Sequence, residues 1–308
     1  MSPVESQISL QSVVKGSLRP FFAASVAVLV AFGWLLFRLF EFSLGSSLYS
    51  HILLVPVISV YLIWQWRKSP TVAFDRGSEP QPNRGLALGF FVAAALFGAI
   101  WATAGKPTEP LPIDDWLAYG TLTFLGCLGG VVSWYVDRRV LRALLFPLGF
   151  LIFMTPLPVF VQDQVEYYLQ HGSAAVAQVF FSLAGTTVFA DGLVFQLTTI
   201  TLKVAPECSG IHSSLALFIT SLLAGHFFLR SRLNRGILAL AVIPLAFLRN
   251  GFRVFTLGEL CVRIGPHMID SYIHHHGGPI FFALSLVPFF FLLYLLRRSE
   301  LPAGAPAA

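Results

Sequence analysis

This chain has few charged residues. Only 11% of its 308 residues are charged, whereas 56% are hydrophobic. Soluble domains carry roughly a quarter of their residues as charges, so the composition excludes a soluble globular protein. The sequence pI of about 9.3 is high, but the basic residues lie in short loops between apolar runs. This arrangement is a topology signal, and we expect no nucleic-acid partner.

Cysteine is also scarce, and its spacing excludes two common roles. Cys127, Cys208 and Cys261 match neither a zinc site nor a disulfide framework. The chain lacks a His-Glu-x-x-His motif, a Walker loop and a complete Gly-x-Ser-x-Gly elbow. It also lacks internal repeats. We therefore expect no metal ion and no cofactor.

Long apolar runs predict an all-α polytopic membrane protein with about eight transmembrane helices. The predicted spans are residues 20–40, 51–66, 85–103, 116–135, 140–160, 210–229, 236–257 and 278–296. The polar residues before the first run resemble no cleavable signal, so we expect that run to act as a signal anchor. Residues 1–19 would form a cytoplasmic tail, 20–298 an integral membrane domain and 299–308 a second cytoplasmic tail.

Basic residues in alternate loops predict the orientation. They cluster at the two ends and in every second loop, as Lys15, Arg19, Arg67, Lys68, Arg76, Arg84, Arg138, Arg139, Arg142, Arg230, Arg232, Arg235, Arg297 and Arg298. The loop 41–50 has no lysine or arginine, and 105–115 has only Lys106. By the positive-inside rule, both termini are cytoplasmic and the protein is a multi-pass component of the inner membrane.

The segment 157–207 is predicted to be a small extracytoplasmic insertion before the sixth span. Residues 163–183 favour an interfacial helix. The sequence that follows alternates in polarity around Asp191-Gly192, a dipeptide typical of tight turns, and predicts a hairpin. Residues 198–204 continue the alternation and lead to Cys208.

Cys208 is the candidate nucleophile because it lies where the sixth span begins, directly before Ser209 and Gly210. A helix N-terminus carries unpaired N–H groups and a partial positive charge, and both favour a thiolate. The alternative interpretation is a small buried packing residue.

Arg249, Asn250 and Arg253 share one face of the seventh span at helical spacing. A guanidinium there could stabilise the oxyanion of a tetrahedral intermediate or hold a thiolate. The alternative is that the side chains extend to the outer headgroups, which suits Arg249 and Arg263 well.

His274, His275 and His276 precede the eighth span on the predicted outer side. One of them could be the general acid and base, since imidazole titrates near neutral pH. A metal site is the competing interpretation, but adjacent residues converge poorly on one ion. His212, four residues after Cys208 on the same helix face, is another candidate base.

Together these motifs resemble the exosortase/archaeosortase family of membrane cysteine transpeptidases. The first shared pattern, Cys-Ser-Gly-Ile with a following serine, corresponds to Cys208 to Ser213 or Ser214. The second, Asn-x-x-Arg, corresponds to Asn250 to Arg253. The third, His-x-x-x-Gly with a later aromatic, corresponds to His274, Gly278 and Phe282. The resemblance is close over about 157–298 and covers the front half only as a pattern of spans. Two departures are the triple histidine, which leaves His274 and His275 as alternatives, and Pro279 in place of an aromatic.

The resemblance implies a role for each matched residue. Cys208 would attack a peptide bond and form a thioester, Arg253 would support the thiolate or oxyanion, and His274 would transfer the proton. The implied partners are secreted proteins that end in a short recognition motif (often Pro-Glu-Pro), a membrane helix and a basic cluster. Their tail would be removed at the outer surface, and the acceptor nucleophile stays open. We also expect Arg253 or Arg249 to recognise an acidic residue in the motif.

Two other functions fit parts of the pattern. A transporter or channel would use Arg253 and the histidines as a pathway lining, but inverted repeats are not found. A non-enzymatic export factor for envelope polysaccharide would instead hold Cys208 and Cys261 in a structural disulfide.

Overall fold

The computed structural model describes residues 18–68, 81–104, 111–204, 209–271 and 277–300. Within these ranges the chain is mainly α-helical and includes a small antiparallel sheet. It divides into two compact units, Met1–Val159 and Phe160–Ala308.

The first unit consists of apolar helices and short connecting turns. Its α-helices are α1 (Leu18–Ala31), α2 (Gly33–Gly45), α3 (Leu54–Lys68), α4 (Arg84–Ala104), α5 (Ile113–Tyr135), α6 (Arg138–Ala143) and α7 (Leu145–Phe150), with 3-10 turns at Ser50–Leu53 and Leu151–Met154. The predicted first span is a bent pair, because α1 and α2 meet at 57°.

Helices α4 and α5 pack closely because small residues line their contact. A Cβ added at Gly126 would lie 2.9 Å from the Ala94 Cβ, and one at Gly130 would lie 2.6 Å from the Phe91 ring. Apolar lipid gives little driving force for helix association, so close van der Waals packing at small residues supplies much of it. More than half of an apolar 18-residue stretch of α5 is buried.

The predicted fifth span, 140–160, is wrong as a single helix. The structure divides this stretch into α6, α7 and a 3-10 turn, and a non-helical stretch carries Pro156 and Pro158. Proline lacks the N–H that a continuing helix needs, so the chain breaks there. The next helix begins at Val159, whose N–H donates to the Asp115 carboxylate at 2.7 Å.

The second unit contains the longer helices and the sheet. Its elements are α8 (Val159–Ala184, which begins one residue before the unit), β1 (Val188–Asp191), β2 (Val194–Leu197), β3 (Thr201–Lys203), α9 (Ile211–Phe228), α10 (Arg232–Leu240), α11 (Val242–Arg263), a 3-10 turn at Pro266–Asp270, and α12 (Gly278–Ser299). Helix α8 contains the predicted 163–183 helix and is longer at its start.

The three strands pair in the order β1-β2-β3, each antiparallel to its neighbour. The pair Asp191 and Val194 closes the hairpin, so its loop is Gly192-Leu193, one residue later than predicted. Gly192 occupies the loop with φ 58°, a conformation that glycine adopts at little cost. The inner face of the sheet, including Phe195, packs on Phe181 of α8.

Five helices are long and apolar enough to cross a membrane, or up to seven if each bent pair is one span, among the described residues. They include α4, α5, α9, α12 and the continuous stretch Arg232–Arg263 formed by α10 and α11. Helix α3, the predicted second span, has 15 residues and falls short of that length. The chain is a multi-pass α-helical membrane protein, but the predicted eight spans are not reproduced.

Glu300 ties the end of α12 to the start of α10. Its carboxylate accepts hydrogen bonds from the Arg230 and Ser231 backbone N–H groups at 2.6 and 2.9 Å, and from Asn234 Nδ2 at 2.9 Å. The Arg230 hydrogen bond is the main cause that holds the pKa of Glu300 below its usual value. An anion at a helix N-terminus is favourable because it satisfies unpaired N–H groups and opposes the helix dipole.

Candidate functional site

The predicted site residues divide into two sets. Those that the structure describes are Ser209, Gly210, His212, Arg249, Asn250 and Arg253. Those that lie outside the described residues are Cys208, His274 and His275, together with the neighbouring His276. The structure does describe the turn that directly follows Cys208 in the chain, and the candidate site is described from that turn.

That turn is centred on Gly210, which has φ 70° and ψ 21° and directly precedes α9. This left-handed conformation is strained for residues with a Cβ. A Cβ at Gly210 would also clash with the side-chain amide of Asn250. Both the backbone conformation and the close approach of α11 thus require glycine at this position.

Asn250 holds the turn from α11. Its side chain is 3% exposed, and its Nδ2 donates to the backbone carbonyl of Ser209. Its Oδ1 accepts a hydrogen bond from Arg249 Nε at 3.3 Å. The carbonyl that Asn250 holds belongs to the residue directly after Cys208. A buried side chain therefore fixes the position of the backbone at Ser209, directly after the candidate nucleophile.

Arg249 holds the first turn of α9. Its Nη2 donates to the Gly210 carbonyl at 3.1 Å and to Ser214 Oγ at 3.0 Å. The Ser214 hydroxyl in turn donates to the Gly210 carbonyl at 2.8 Å. Because both partners lie at the start of α9, the guanidinium is fixed beside a helix N-terminus.

The burial of Arg249 is unusual for a cation. The side chain is only 6% exposed, so extension of Arg249 to the headgroups, one of the two predicted alternatives, is wrong. Its Nη1 is buried and has no hydrogen-bond partner in the described part of the chain. A buried guanidinium needs partners to offset the loss of hydration, and here the network formed by Asn250, Gly210 and Ser214 supplies them. Arg263 does lie at the surface, where it pairs with Glu259 at 2.6 Å.

Arg253 lies one turn further along α11 and is partly buried. It lines a small cavity whose other residues come from β3 and the residue after it, from α11 and from the following 3-10 turn: Leu202, Lys203, Val204, Val254, Leu257 and Ile269. The structure brings Arg249 and Asn250 together on the Gly210 turn, whereas it puts Arg253 at this cavity.

His212 is exposed in the first turn of α9 and is not part of the Arg249 network. Cys261 is a fully buried free thiol near the end of α11. Its partner in the disulfide that one alternative needs, Cys208, lies outside the described residues.

Lys203 is the residue that sequence reasoning overlooked. It ends β3 and lines the same cavity as Arg253. A signal for it exists, because Lys203 is the one lysine or arginine in the whole segment 157–207. A basic residue is unexpected in a loop predicted to lie outside.

One family model matches residues 42–291 of the chain, and its description is transmembrane exosortase (Exosortase_EpsH). The matched range includes the Gly210 turn, the Arg249 network, the Arg253 cavity and the three residues predicted to react. No curated protein and no solved structure gives a match.

Proposed function

The chain belongs to the transmembrane exosortase family, and from this premise we propose that it cleaves the C-terminal sorting tail of secreted proteins through a thioester on Cys208. Family membership supports a membrane transpeptidase or protease role in general. The finer mechanism rests on the residues around the Gly210 turn and remains a proposal for this chain.

The observation that carries the proposal is the buried clamp on the residues after Cys208. Asn250 binds the Ser209 carbonyl, and Arg249 binds the Gly210 carbonyl and Ser214. A side chain that attacks a carbonyl must be held close to its reacting geometry, and rigid supporting contacts provide that. A purely structural cysteine before α9 would not require two buried polar side chains to hold its loop.

The chemistry proceeds in two steps. In the first, the Cys208 thiolate attacks the scissile carbonyl carbon, the C–N bond breaks, and His274 or His275 protonates the leaving amine. In the second, an incoming nucleophile attacks the thioester and gives up its proton to the same histidine, now neutral, and the C–S bond breaks to restore the thiolate. The negative charge on the oxygen of each tetrahedral intermediate would be stabilised by Arg253.

Arg249 would contribute to the same step without touching the substrate. Its positive charge and its fixed position at the start of α9 favour an anion there, in the same sense as the helix dipole. We assign it the role of a positioning residue, with Asn250 as its partner. His212, which is outside this network, is not needed for either step.

The membrane context supports the same reaction. The pattern of basic loops favours an inner-membrane protein whose termini are cytoplasmic and whose site faces outward. A substrate anchored by its own membrane helix would present the scissile bond at the bilayer surface. The search is then two-dimensional and the orientation partly set, which raises the effective concentration.

The proposal is tested by co-expression of a tail-bearing secreted substrate with the wild type or with Cys208→Ala, with processing followed on a gel. We expect processing by the wild type and none by Cys208→Ala. Cys127→Ala and Cys261→Ala are the matched controls, because both thiols lie within membrane helices and both variants should process normally. Equal processing by Cys208→Ala would overturn the nucleophile assignment.

A further inference from the structure

We propose that a groove between α4, α5 and the stretch 141–152 holds one acyl chain of an anionic phospholipid, whose phosphate is bound by Arg138 and Arg142. All residues of the groove belong to the first unit, so the inference goes beyond the proposed function and does not depend on it. The volume of the groove is about 340 Å³, within the range of about 300–1,000 Å³ that is typical of small-ligand sites.

The walls of the groove are apolar. Among the described residues that line it, Ser133 is the only polar one. The helix that forms one wall, α4, is poorly covered by protein, because only 11% of its apolar 18-residue stretch is buried. Leu86, Phe90 and Leu145 line the groove and are themselves exposed. In a bilayer such a surface is in contact with lipid tails, so the groove suits an acyl chain.

The length of the groove matches one leaflet of a bilayer. It extends from Leu86 to Phe97 along α4 and from Leu122 to Ser133 along α5, eleven residue steps on each wall. At a helix rise of about 1.5 Å per residue, each wall is about 16 Å long. The hydrocarbon core is about 30 Å thick, so one leaflet contributes about 15 Å. The groove therefore fits a lipid chain of one leaflet better than a helix that crosses the whole membrane.

At one end of the groove, hydrogen bonds join the segment before α4 to the segment after α5. The Asn83 N–H donates to the Ser133 carbonyl at 3.1 Å, and the Arg138 N–H donates to the Gln81 carbonyl at 3.0 Å. The buried Asp137 carboxylate accepts from the Gln81 N–H at 2.8 Å. The starts of α4 and α6 are thereby fixed beside each other at this end.

Helix α6 presents two arginines there. One face of α6 packs in a buried cluster, whereas Arg138 and Arg142 are exposed. They share a face of the helix at a spacing of four residues, and Leu141, between them in the chain, lines the groove. Neither arginine forms an ion pair within the described residues, and the neighbouring Asp137 carboxylate accepts from the backbone N–H groups of Gln81 and Arg139.

These residues have the chemistry that an anionic headgroup requires. The planar guanidinium fork binds phosphate oxygens through two parallel hydrogen bonds. Basic pockets between membrane helices are typical sites for anionic headgroups. Trp134, whose ring lies 5.5 Å from the Arg84 guanidinium, is exposed at the same end of α5, and tryptophan is enriched at headgroup level. The basic loops predict that this end is cytoplasmic, so the lipid would belong to the cytoplasmic leaflet.

The direct test is native mass spectrometry of the delipidated full-length protein in detergent. The added lipids are phosphatidylglycerol and phosphatidylcholine with the same acyl chains. We expect the first phosphatidylglycerol to bind about tenfold more tightly than the first phosphatidylcholine. The double variant Arg138→Gln/Arg142→Gln should remove this preference. Arg138→Lys/Arg142→Lys should retain part of it, because the charges remain but the fork of donors is lost.

Arg297→Gln/Arg298→Gln is the matched control for charge. Both residues are exposed at the end of α12, outside the groove, and the variant loses the same two positive charges. It should keep the preference for phosphatidylglycerol. Equal binding of the two lipids by the wild type, or an equal loss of preference in the two glutamine variants, would overturn the proposal in favour of general attraction to basic loops.

Gly149→Leu tests whether the chain occupies the groove. Gly149 lines the groove, and nothing lies within 4 Å of an added Cβ, so the leucine side chain can enter the space without a backbone clash. We expect the binding of both lipids to fall about tenfold, since displacement of even two methylene groups from an apolar site has an effect of that size.

Gly89→Leu is the control for that change. Gly89 also has nothing within 4 Å of an added Cβ, but it lies outside the lining of the groove. It should leave lipid binding unchanged. Equal binding by Gly149→Leu and Gly89→Leu would contradict a chain in the groove. A dimer that Gly149→Leu dissociates, with lipid binding unchanged, would assign the groove to a second copy of the protein and overturn the proposal. Lipid binding is measured without substrate, so a failure here leaves the role of Cys208 untouched.

Discussion

Two helix starts in the second unit are stabilised by side chains of opposite charge. At the start of α10, the Glu300 carboxylate accepts from backbone N–H groups, as the helix dipole favours. At the start of α9, the buried Arg249 guanidinium donates to the Gly210 carbonyl and Ser214. In the first arrangement the carboxylate both satisfies the backbone N–H groups and opposes the helix dipole. The second adds positive charge to an end that is already positive, and it leaves the Nη1 of Arg249 without a partner among the described residues.

The difference separates a structural contact from a candidate reaction site. A start capped by a carboxylate has no remaining tendency to bind an anion. A start reinforced by a cation favours an anion, and a thiolate on Cys208 or the oxygen of a tetrahedral intermediate would supply one. The comparison therefore predicts that changes at the α9 start affect activity, whereas changes at the α10 start affect stability alone.

The largest effect is expected from Gly210→Ala, which disrupts the α9 start. The left-handed backbone costs about 1–2 kcal/mol with a Cβ. The clash with Asn250 adds about 1–3 kcal/mol. We expect a clear loss of thermal stability in detergent, read by the melting of helical circular dichroism, together with loss of substrate processing.

Gly192→Ala provides the control for backbone strain. Gly192 also has a positive φ, 58°, but nothing lies within 4 Å of an added Cβ. Its cost should be limited to about 1–2 kcal/mol, with processing retained. Equal melting temperatures for the two variants would contradict the close approach of Asn250 to the Gly210 turn.

The next effect is expected from Arg249→Gln, which keeps a polar side chain but removes the charge and the fork of donors. We expect the first-order rate of processing to fall about 100-fold, because a displaced nucleophile loses its orientation. Arg249→Lys should recover only part of the rate, since an ammonium cannot reproduce the planar fork. Rates are measured with purified protein and a synthetic tail peptide, with kcat and KM separated.

Arg263→Gln is the matched control on the same helix. Its partner Glu259 is retained, and its own side chain is 70% exposed, so the change should leave kcat within about twofold. A rise in KM alone in Arg249→Gln, with kcat unchanged, would contradict a positioning role. So would an equal effect of Arg263→Gln.

The smallest effect is expected from Glu300→Gln, which weakens the α10 start. Hydrogen bonding lowers the pKa of Glu300 in the folded protein below its usual value of 4.5. The contribution to stability is therefore present above pH 4.5 and is lost as the pH falls through the lower folded pKa. The wild type should melt slightly higher than Glu300→Gln at pH 7, and the two curves should converge once the pH is below the lowered pKa of Glu300 in the folded protein.

Processing at pH 7 should be the same for the wild type and Glu300→Gln. A difference in melting temperature that grows as the pH falls would have the wrong sign for a carboxylate with a lowered pKa. Loss of processing without a change in melting would contradict the separation of the two helix starts.

Local sequence patterns predicted the elements near the site but not the contacts between them. The start of α9 after Gly210 and the strands on either side of Gly192 follow from turn chemistry and alternation, and both are observed with a one-residue shift of the hairpin loop. The prediction of a single fifth span was wrong because Pro156 and Pro158 interrupt the helix despite the apolar run around them. Hydropathy averaged over a window does not register such breaks.

The site itself was predicted less completely, for a physical reason. Arg249 was assigned two roles because spacing alone cannot tell a buried donor from one that reaches the headgroups. Its partner, the Gly210 carbonyl, is 39 residues away in the chain. Lys203 was overlooked because its neighbour in the cavity, Arg253, is distant in sequence. Both assignments depend on tertiary contacts that no local pattern contains.

The central claim is that Cys208 carries the acyl group of the substrate, and intact-protein mass spectrometry tests it most directly. Purified protein is mixed with a tail peptide and quenched in acid; the intact mass shows whether an adduct is present, and a digest of the same sample shows which segment carries it. We predict that the segment containing Cys208 gains the mass of the acyl portion, and that hydroxylamine removes it, as for a thioester. Cleavage of the tail peptide with no adduct on Cys208 in the wild type, and at the same rate in Cys208→Ala, would contradict the account.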